Sequence, residues 1–420
     1  MGTSALSETV EPPAADPHAS VRAEVESRLR REDAAGALRL LGAEAPGQLE
    51  WLRGRTGDAL REGDIAFACA CAEASAALAW GSAGRLAAFG APAAAAVPDA
   101  SLSAPKLRHD AAQFRHLRDV GVLGAEAEDR ATLYDQWAVR LEGMGAGARL
   151  PLEGEALEAL GPLLNRIVYV RNAPRLTRAL GPWDTEPVER AYQAPPGVAV
   201  VDDFLTPEAL DALHRFCLDS TIWSSTRHAY GRLGSQFQNG FAAPLLAQIA
   251  EELREALPKV IGRRYPLRHM WGYKSPAELA PDVTVHADFA AVNVNFWLTP
   301  DDANLDPQTG GMVVYPVDAP AHWTFDMYNA RLNDLIRPFL ARQGVRAIYV
   351  PYRRNRAVIF NSDLFHGTAA VKFRPDYESQ RINVTLLYGD RADDLDHRGL
   401  ARPEVAQPHA WRSAAFRRSH

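Results

Sequence analysis

Val283-Thr284-Val285-His286-Ala287-Asp288-Phe289, running on through Ala290-Ala291 into Val292-Asn293-Val294-Asn295-Phe296-Trp297-Leu298, is the stretch that decides how this chain reads. Its alternation predicts two β-strands. Successive side chains of a strand point to opposite faces, so His286 and Asp288 project from the same side. An imidazole and a carboxylate held side by side on a rigid strand are two legs of a metal site. On the second strand Asn293, Asn295 and Trp297 share one face, opposite Val294, Phe296 and Leu298. That polar set either lines a pocket or forms a buried, mutually satisfied amide network.

A third ligand is available downstream. Ala357 to Phe360 reads as a buried strand, Asn361-Ser362-Asp363 as a turn, and Leu364-Phe365-His366 as the strand that returns. Two histidines and one carboxylate on one face of an ion leave the opposite positions open for other ligands. Further on, Arg381, Asn383 and Thr385 alternate with Ile382, Val384 and Leu386 in a strand ending at Tyr388. A guanidinium fixed on the inner face of such a strand suits a bidentate grip on a carboxylate. Tyr273, in Trp271-Gly272-Tyr273-Lys274, either donates its hydroxyl to the same pocket or packs on the core.

With His286-Ala-Asp288, His366 and Arg381-Ile-Asn383 assembled, the sequence resembles the Fe(II)- and 2-oxoglutarate-dependent oxygenase superfamily, in particular its prolyl-hydroxylase-like branch. The resemblance covers about residues 197 to 390 and includes Thr309-Gly310-Gly311-Met312-Val313-Val314-Tyr315-Pro316, similar to the glycine-led strand between the ligands in that superfamily. It implies a double-stranded β-helix, or jelly roll. It also implies Fe(II) on His286, Asp288 and His366, and 2-oxoglutarate anchored by Arg381, with Asn383, Tyr273 and Asn293 as further cofactor-pocket residues. The implied chemistry consumes O2, releases succinate and CO2, and hydroxylates a C–H bond. Two departures stand out: Asn383 occupies a position where serine or threonine is common, and the gap from His366 to Arg381 is longer than usual, which leaves Arg374 as an alternative clamp. Halogenases of the superfamily carry a small residue in place of the carboxylate, so Asp288 implies a hydroxylase or related oxidase.

The rest of the chain sets bounds. Its 420 residues, 47% of them hydrophobic and 23% charged, suit a protein with a large core. A net charge of −6, with no long basic run carrying interleaved aromatics, excludes an obvious nucleic-acid surface. Cys69, Cys71 and Cys217 form neither a disulfide framework nor a structural zinc pattern. Together with an N-terminus lacking the basic start and apolar core of a signal peptide, they fit a cytoplasmic protein. The Ala-rich window from Ile65 to Trp80 is too short and too weakly apolar to span a membrane.

The predicted organisation is α+β. Residues 1–20 read as a disordered tail, 21–195 as an all-α region with a tetratricopeptide-like texture, 196–395 as the jelly-roll oxygenase domain flanked by helices, and 396–420 as a C-terminal tail. Residues 90–105 read as a linker. His109 and His116 lie on an amphipathic helix, Lys106 to Arg118, and are expected to be half-exposed on its charged face. Thr206-Pro207-Glu208 predicts a helix start, and Ser224 to Gly240 a loop carrying Arg227, His228, Tyr230 and Arg232. His322-Trp323 reads as a loop packed on the barrel, and Tyr328 to Leu340 as a helical insert. The expected partner is a small-molecule or peptide substrate, with a homodimer through the helical region as a further expectation. A non-catalytic cupin-like binder and a Zn(II) hydrolase using the same three ligands are the rival readings.

Overall fold

The computed structural model describes residues 17–42, 45–82, 101–145, 147–226, 231–281 and 285–397. Several expectations fall outside these residues: the tail up to residue 16, the linker from 90 to 100, Arg227, His228 and Tyr230, Val283-Thr284, and the tail from 398 onward.

The chain opens with helices α1 (Ala19–Arg30), α2 (Ala34–Leu41), α3 (Ala45–Glu62) and α4 (Ile65–Trp80). Asp33 and Asp64 cap the second and fourth, accepting from the backbone N–H of Gly36 and Phe67 that would otherwise lack acceptors. A ribbon of β1 (Ser101–Ser103) and β2 (Arg149–Pro151) brackets α5 (Ala104–Asp119) and α6 (Glu126–Gly143), and α7 (Gly154–Leu160) follows. This lobe has its own apolar core around Leu107, Phe114, Tyr134, Trp137 and Leu160.

Beyond α8 (Thr185–Gln193) come β3 (Val198–Val201), α9 (Pro207–Asp219), β4 (Leu233–Gln236), α10 (Pro244–Ala256), β5 (Leu267–Lys274), β6 (Glu278–Leu279) and β7 (Val292–Trp297). Then follow β8 (Met312–Asp318), α11 (Phe325–Asn329), α12 (Arg337–Gln343), β9 (Ile348–Val350), β10 (Ala357–Asn361), β11 (Leu364–Thr368), β12 (Val371–Lys372), β13 (Ile382–Tyr388) and α13 (Arg391–His397). Thr206 caps α9 by accepting from Ala209 N–H at 3.2 Å, with Pro207 at the first helical position. The insert between β8 and β9 is helical as expected, with a π-helical turn at Leu332–Ile336 joining its two α-helices. Trp323 is buried there against Phe339 and Phe365.

The larger sheet runs β3-β10-β7-β13-β5-β4 and the smaller β11-β8-β9, all neighbours antiparallel. A bridge between His286 and His366 adds the segment around His286 to the free edge of β11. From β5 onward the chain therefore crosses from one sheet to the other: β5, the His286 segment, β7, then β8 and β9, then β10, β11 and β13. The neighbour order that results is the jelly roll, a double-stranded β-helix. Between the sheets pack Trp297, Val314, Tyr352, Val358, Phe360 and Phe373. The outer face of the larger sheet, with Met270, Val294, Phe296, Val384 and Leu386, lies against α9 and α10.

Three expectations change. The Ser224–Gly240 segment is not all loop, because Leu233–Gln236 forms an edge strand with Leu233 opposite Lys274 and Gln236 opposite Trp271. Its glycine and short polar residues lack β-propensity, and pairing with β5 supplies what composition does not. The tetratricopeptide likeness finds no support, since α4 is buried on all sides and shares one apolar cluster with α10 and the larger sheet. His109 and His116 are not half-exposed: α5 is buried on two faces. Its polar stripe meets the back of the sheet, where Lys274 Nζ donates to Tyr377 Oη at 2.7 Å and lies 3.3 Å from His109 Nε2. Gln113 Nε2 donates to the carbonyls of Leu218 and Ser220 at 3.0 Å, and His116 Nε2 lies 2.8 Å from Asp219. Among the described residues no helix is long and apolar enough to cross a membrane.

Candidate metal centre and anion clamp

His286 and His366 are brought together by reciprocal backbone bonds, His286 N–H to His366 C=O at 2.9 Å and His366 N–H to His286 C=O at 2.8 Å. Their ring centroids are 4.6 Å apart. The strand expected through His286 is only this bridge among the described residues. Ala287 N–H turns to the Tyr328 carbonyl of the insert, and Asp288 N–H to Ser362 in the turn before β11. That departure swings Asp288 in beside both rings. One ligand atom from each of His286, Asp288 and His366 lies within 4.8 Å of the others. The nearest approaches are 3.5 Å from His286 Nε2 to Asp288 Oδ1 and 3.4 Å from His366 Nε2 to Asp288 Oδ2.

The protonation pattern suits a metal. His366 Nδ1 is 2.9 Å from the Leu364 carbonyl, which can only accept, so Nδ1 carries a proton and Nε2 is the ring nitrogen turned to the carboxylate. Burial works against the Asp288 charge, but bonds and attraction from the two imidazoles hold its carboxyl well below the usual range. Its Oδ2 accepts from Asn293 Nδ2 at 2.5 Å. Behind that bond stands a directional series: Asn295 Nδ2 donates to Asn293 Oδ1, and Asn295 Oδ1 accepts from Asn383 Nδ2 at 2.9 Å and Thr385 Oγ1 at 2.7 Å. Every amide in the row donates towards Asp288, so each bond polarises the next. The choice left open for the Asn293 face therefore resolves as a buried network that ends on Asp288, a candidate ligand.

Arg381, just before β13, lies between the same two sheets, beside the Trp297 and Tyr352 rings. It is 1% exposed. Its Nε donates to the Gly310 carbonyl at 2.5 Å, while its buried Nη1 has no partner, and no carboxylate pairs with it among the described residues. Burial pushes the guanidinium down to about 9, with Tyr352 and Tyr349 opposing and Arg232 adding to the effect. Trp297, whose ring centroid is 5.5 Å from Arg381 Cζ, also has a buried indole N–H without an acceptor. An uncompensated buried guanidinium beside a second orphan donor is costly unless an acceptor, best an anion, fills the gap. The donor set thus fits a carboxylate, and the triad fits a divalent ion such as Fe(II).

Among the sequence-predicted pocket residues, Asn293 contacts Asp288 and Asn383 belongs to the amide row. Tyr273 is opposite Asn383 on β5, with its ring under the Arg232 guanidinium at 4.0 Å and its Oη 3.4 Å from Gln236 Nε2. Arg374 is at the surface, paired with Asp302 at 3.1 Å, and does not enter the site. One group near the site, His269, has no counterpart in the sequence reading. His269 faces the centre from β5, bonded to Gln236 at 2.8 Å, with burial pushing its imidazole down to about 4 against the pull of Asp288. Trp297 is visible in the sequence as a member of the polar face and Arg232 as a member of the Ser224–Gly240 loop; the surroundings of Arg232 and His269 depend on the unforeseen strand β4.

No family model matches the chain, and no curated protein matches it in sequence. Solved structures similar to it include a non-heme alpha ketoglutarate dependent carbocyclase, SnoK, from nogalamycin biosynthesis, at 11% identity and TM-score 0.35, covering 54% of this chain and 97% of that one. A prolyl hydroxylase in complex with a hypoxia inducible factor peptide fragment, from Trichoplax adhaerens, matches at 16% identity and TM-score 0.31, covering 50% and 90%. HygX from Streptomyces hygroscopicus, with nickel and 2-oxoglutarate bound, matches at 13% identity and TM-score 0.34, covering 49% and 87%. At this level of likeness the chain's own residues must carry its function.

Proposed function

We propose that the chain is an Fe(II)- and 2-oxoglutarate-dependent dioxygenase that hydroxylates a C–H bond of a small-molecule or peptide substrate, with release of succinate and CO2. The observation that carries this reading is the presence, between the same two sheets, of a His-Asp-His cluster and a buried arginine that has no carboxylate partner among the described residues. A plain metal binder or a zinc hydrolase has no use for the second element.

In this reading His286, Asp288 and His366 hold Fe(II) through Nε2, a carboxylate oxygen and Nε2. Asn293 keeps the Asp288 carboxylate turned to the ion. Arg381, with the Trp297 N–H beside it, takes the distal carboxylate of 2-oxoglutarate by charge-assisted bonds. The walls of Val358, Phe360 and Trp297 keep water away, which strengthens those bonds. The bound iron and keto acid supply the oxidising chemistry. Residues 196–395 carry the reaction and the helices before them support it.

The test is succinate release on adding Fe(II), ascorbate and 2-oxoglutarate to the purified protein, with iron-dependent binding of 2-oxoglutarate measured alongside. Absence of both turnover and binding rules the proposal out. Activity retained with Zn(II) and without O2 favours a hydrolase instead.

A further inference from the structure

Between the α5–α6 lobe and the β4 edge of the larger sheet is a cavity of about 400 Å³ that none of the roles above uses. This is the size of a small-ligand pocket. Its wall includes Ser103, Pro105, Arg108, Glu142, Arg149 and Arg232.

Three features give it one electrostatic character. Arg232 is 8% exposed and its buried Nε has no hydrogen-bond partner; among the described residues no carboxylate pairs with it. Arg149 donates from Nη2 to the Thr226 carbonyl at 2.5 Å and from Nη1 to Ser101 Oγ at 3.3 Å, again with no carboxylate partner among the described residues. The N-terminus of the 16-residue helix α5 opens on the same space, and its N-cap Ser103 makes no side-chain cap bond. Uncapped amide donors at a helix start carry partial positive charge and favour an anion. The acidic group in the wall, Glu142, is already engaged by Arg108 at 2.9 and 3.1 Å, and Arg108 also reaches Asp135 at 2.7 Å. The balance left over is cationic and partly desolvated.

We propose that this cavity binds a compact oxyanion, the carboxylate or phosphate of a small molecule, held by Arg232 and Arg149 at the start of α5. Arg232 ties the site to the clamp next door: it covers the Tyr273 ring and its charge disfavours that of Arg381.

The test uses the full-length protein without metal or 2-oxoglutarate, so that it stands apart from the dioxygenase reading. Inorganic phosphate and acetate are titrated calorimetrically against chloride at matched ionic strength. Saturable binding of at least one is expected, and the tighter of the two identifies which oxyanion the cavity prefers. Arg232→Gln and Arg149→Gln should each raise the half-saturating concentration at least tenfold, and Arg381→Gln should change it less than twofold. Arg149 is exposed, so its variant decides the matter even if the Arg232 variant misfolds. Binding no better than chloride, wild-type binding by Arg149→Gln, or loss of binding in Arg381→Gln overturns the proposal, the last by placing the anion on the clamp.

Discussion

Replacing Arg381 with methionine should stabilise the ligand-free protein and, under the proposed function, at the same time remove the grip on 2-oxoglutarate. The guanidinium is 1% exposed, bonded only through Nε to Gly310, and pushed down to about 9 by burial. A depression of that size corresponds to at most about 5 kcal/mol against the charged form. Relaxation and water penetration reduce such penalties to about 1–4 kcal/mol when a buried charge is exchanged for a well-packed apolar side chain. Losing the bond to Gly310 returns about 1 kcal/mol. The net is a gain of up to about 3 kcal/mol, or at most a few degrees in Tm. Binding moves the other way. Two charge-assisted bonds at about 1.5–3 kcal/mol each imply a loss of roughly two to four orders of magnitude in affinity for the keto acid. Thermal melts with and without Mn(II) and 2-oxoglutarate read both effects, since ligand at a hundred times its Kd stabilises the wild type by about 2.7 kcal/mol. An Arg381→Met protein that melts lower than wild type and keeps the full ligand-induced shift would refute the reasoning.

Other perturbations have equally definite outcomes. Asn293→Ala removes the bond that orients Asp288 and should weaken divalent-metal affinity about 10–100-fold in a metal titration; unchanged affinity denies the amide row its role. Burial pushes Lys274 down to about 7, so between there and the ordinary lysine value the unfolded chain holds a proton that the folded chain has released. Stability should therefore rise with pH across that window and be lowest below 7, where the buried ammonium persists. Lys274→Met should flatten the slope, as read by urea denaturation at pH 7 and 9.5; an identical slope in both proteins excludes Lys274 as its source. At Gly272 an added Cβ would lie 2.4 Å from Phe241 Cε2, so Gly272→Ala should lower stability by about 1–3 kcal/mol, and an unshifted denaturation midpoint would show the ring moves freely.

The centre of the site was legible because β-structure converts spacing into direction. The alternation from Arg381 and the strand that carries His366 follow from period two, whereas Asp288 comes beside the rings by leaving the strand direction after His286. What escaped reading lies where burial is set by a partner distant in sequence. On α5, Lys106, His109, Gln113 and His116 form a polar stripe, and a polar stripe ordinarily faces water. Here it faces Lys274, Tyr377 and Asp219, which satisfy it, so the helix is buried on its polar side as well as its apolar one. Strand β4 escaped for a related reason: Leu-Gly-Ser-Gln carries no local preference, and only the exposed edge of β5 makes it a strand. With β4 went Arg232, and with Arg232 the cavity beside it.

The distribution of apolar contacts has a consequence for how the chain comes apart. Helices α1 to α4 share a single core with α10 and the larger sheet, whereas the intervening lobe from β1 to α7 keeps its own core and meets the rest largely through the polar stripe of α5. Two stretches remote in sequence therefore make up one cooperative unit, and the lobe is an insertion within it. Cutting the chain just before β3 would leave the packing surface of α10 bare of α4, so the part from β3 onward should not fold unaided. The lobe, by contrast, is the piece that can loosen, be trimmed or be exchanged while the sheet that carries the His-Asp-His cluster stays intact.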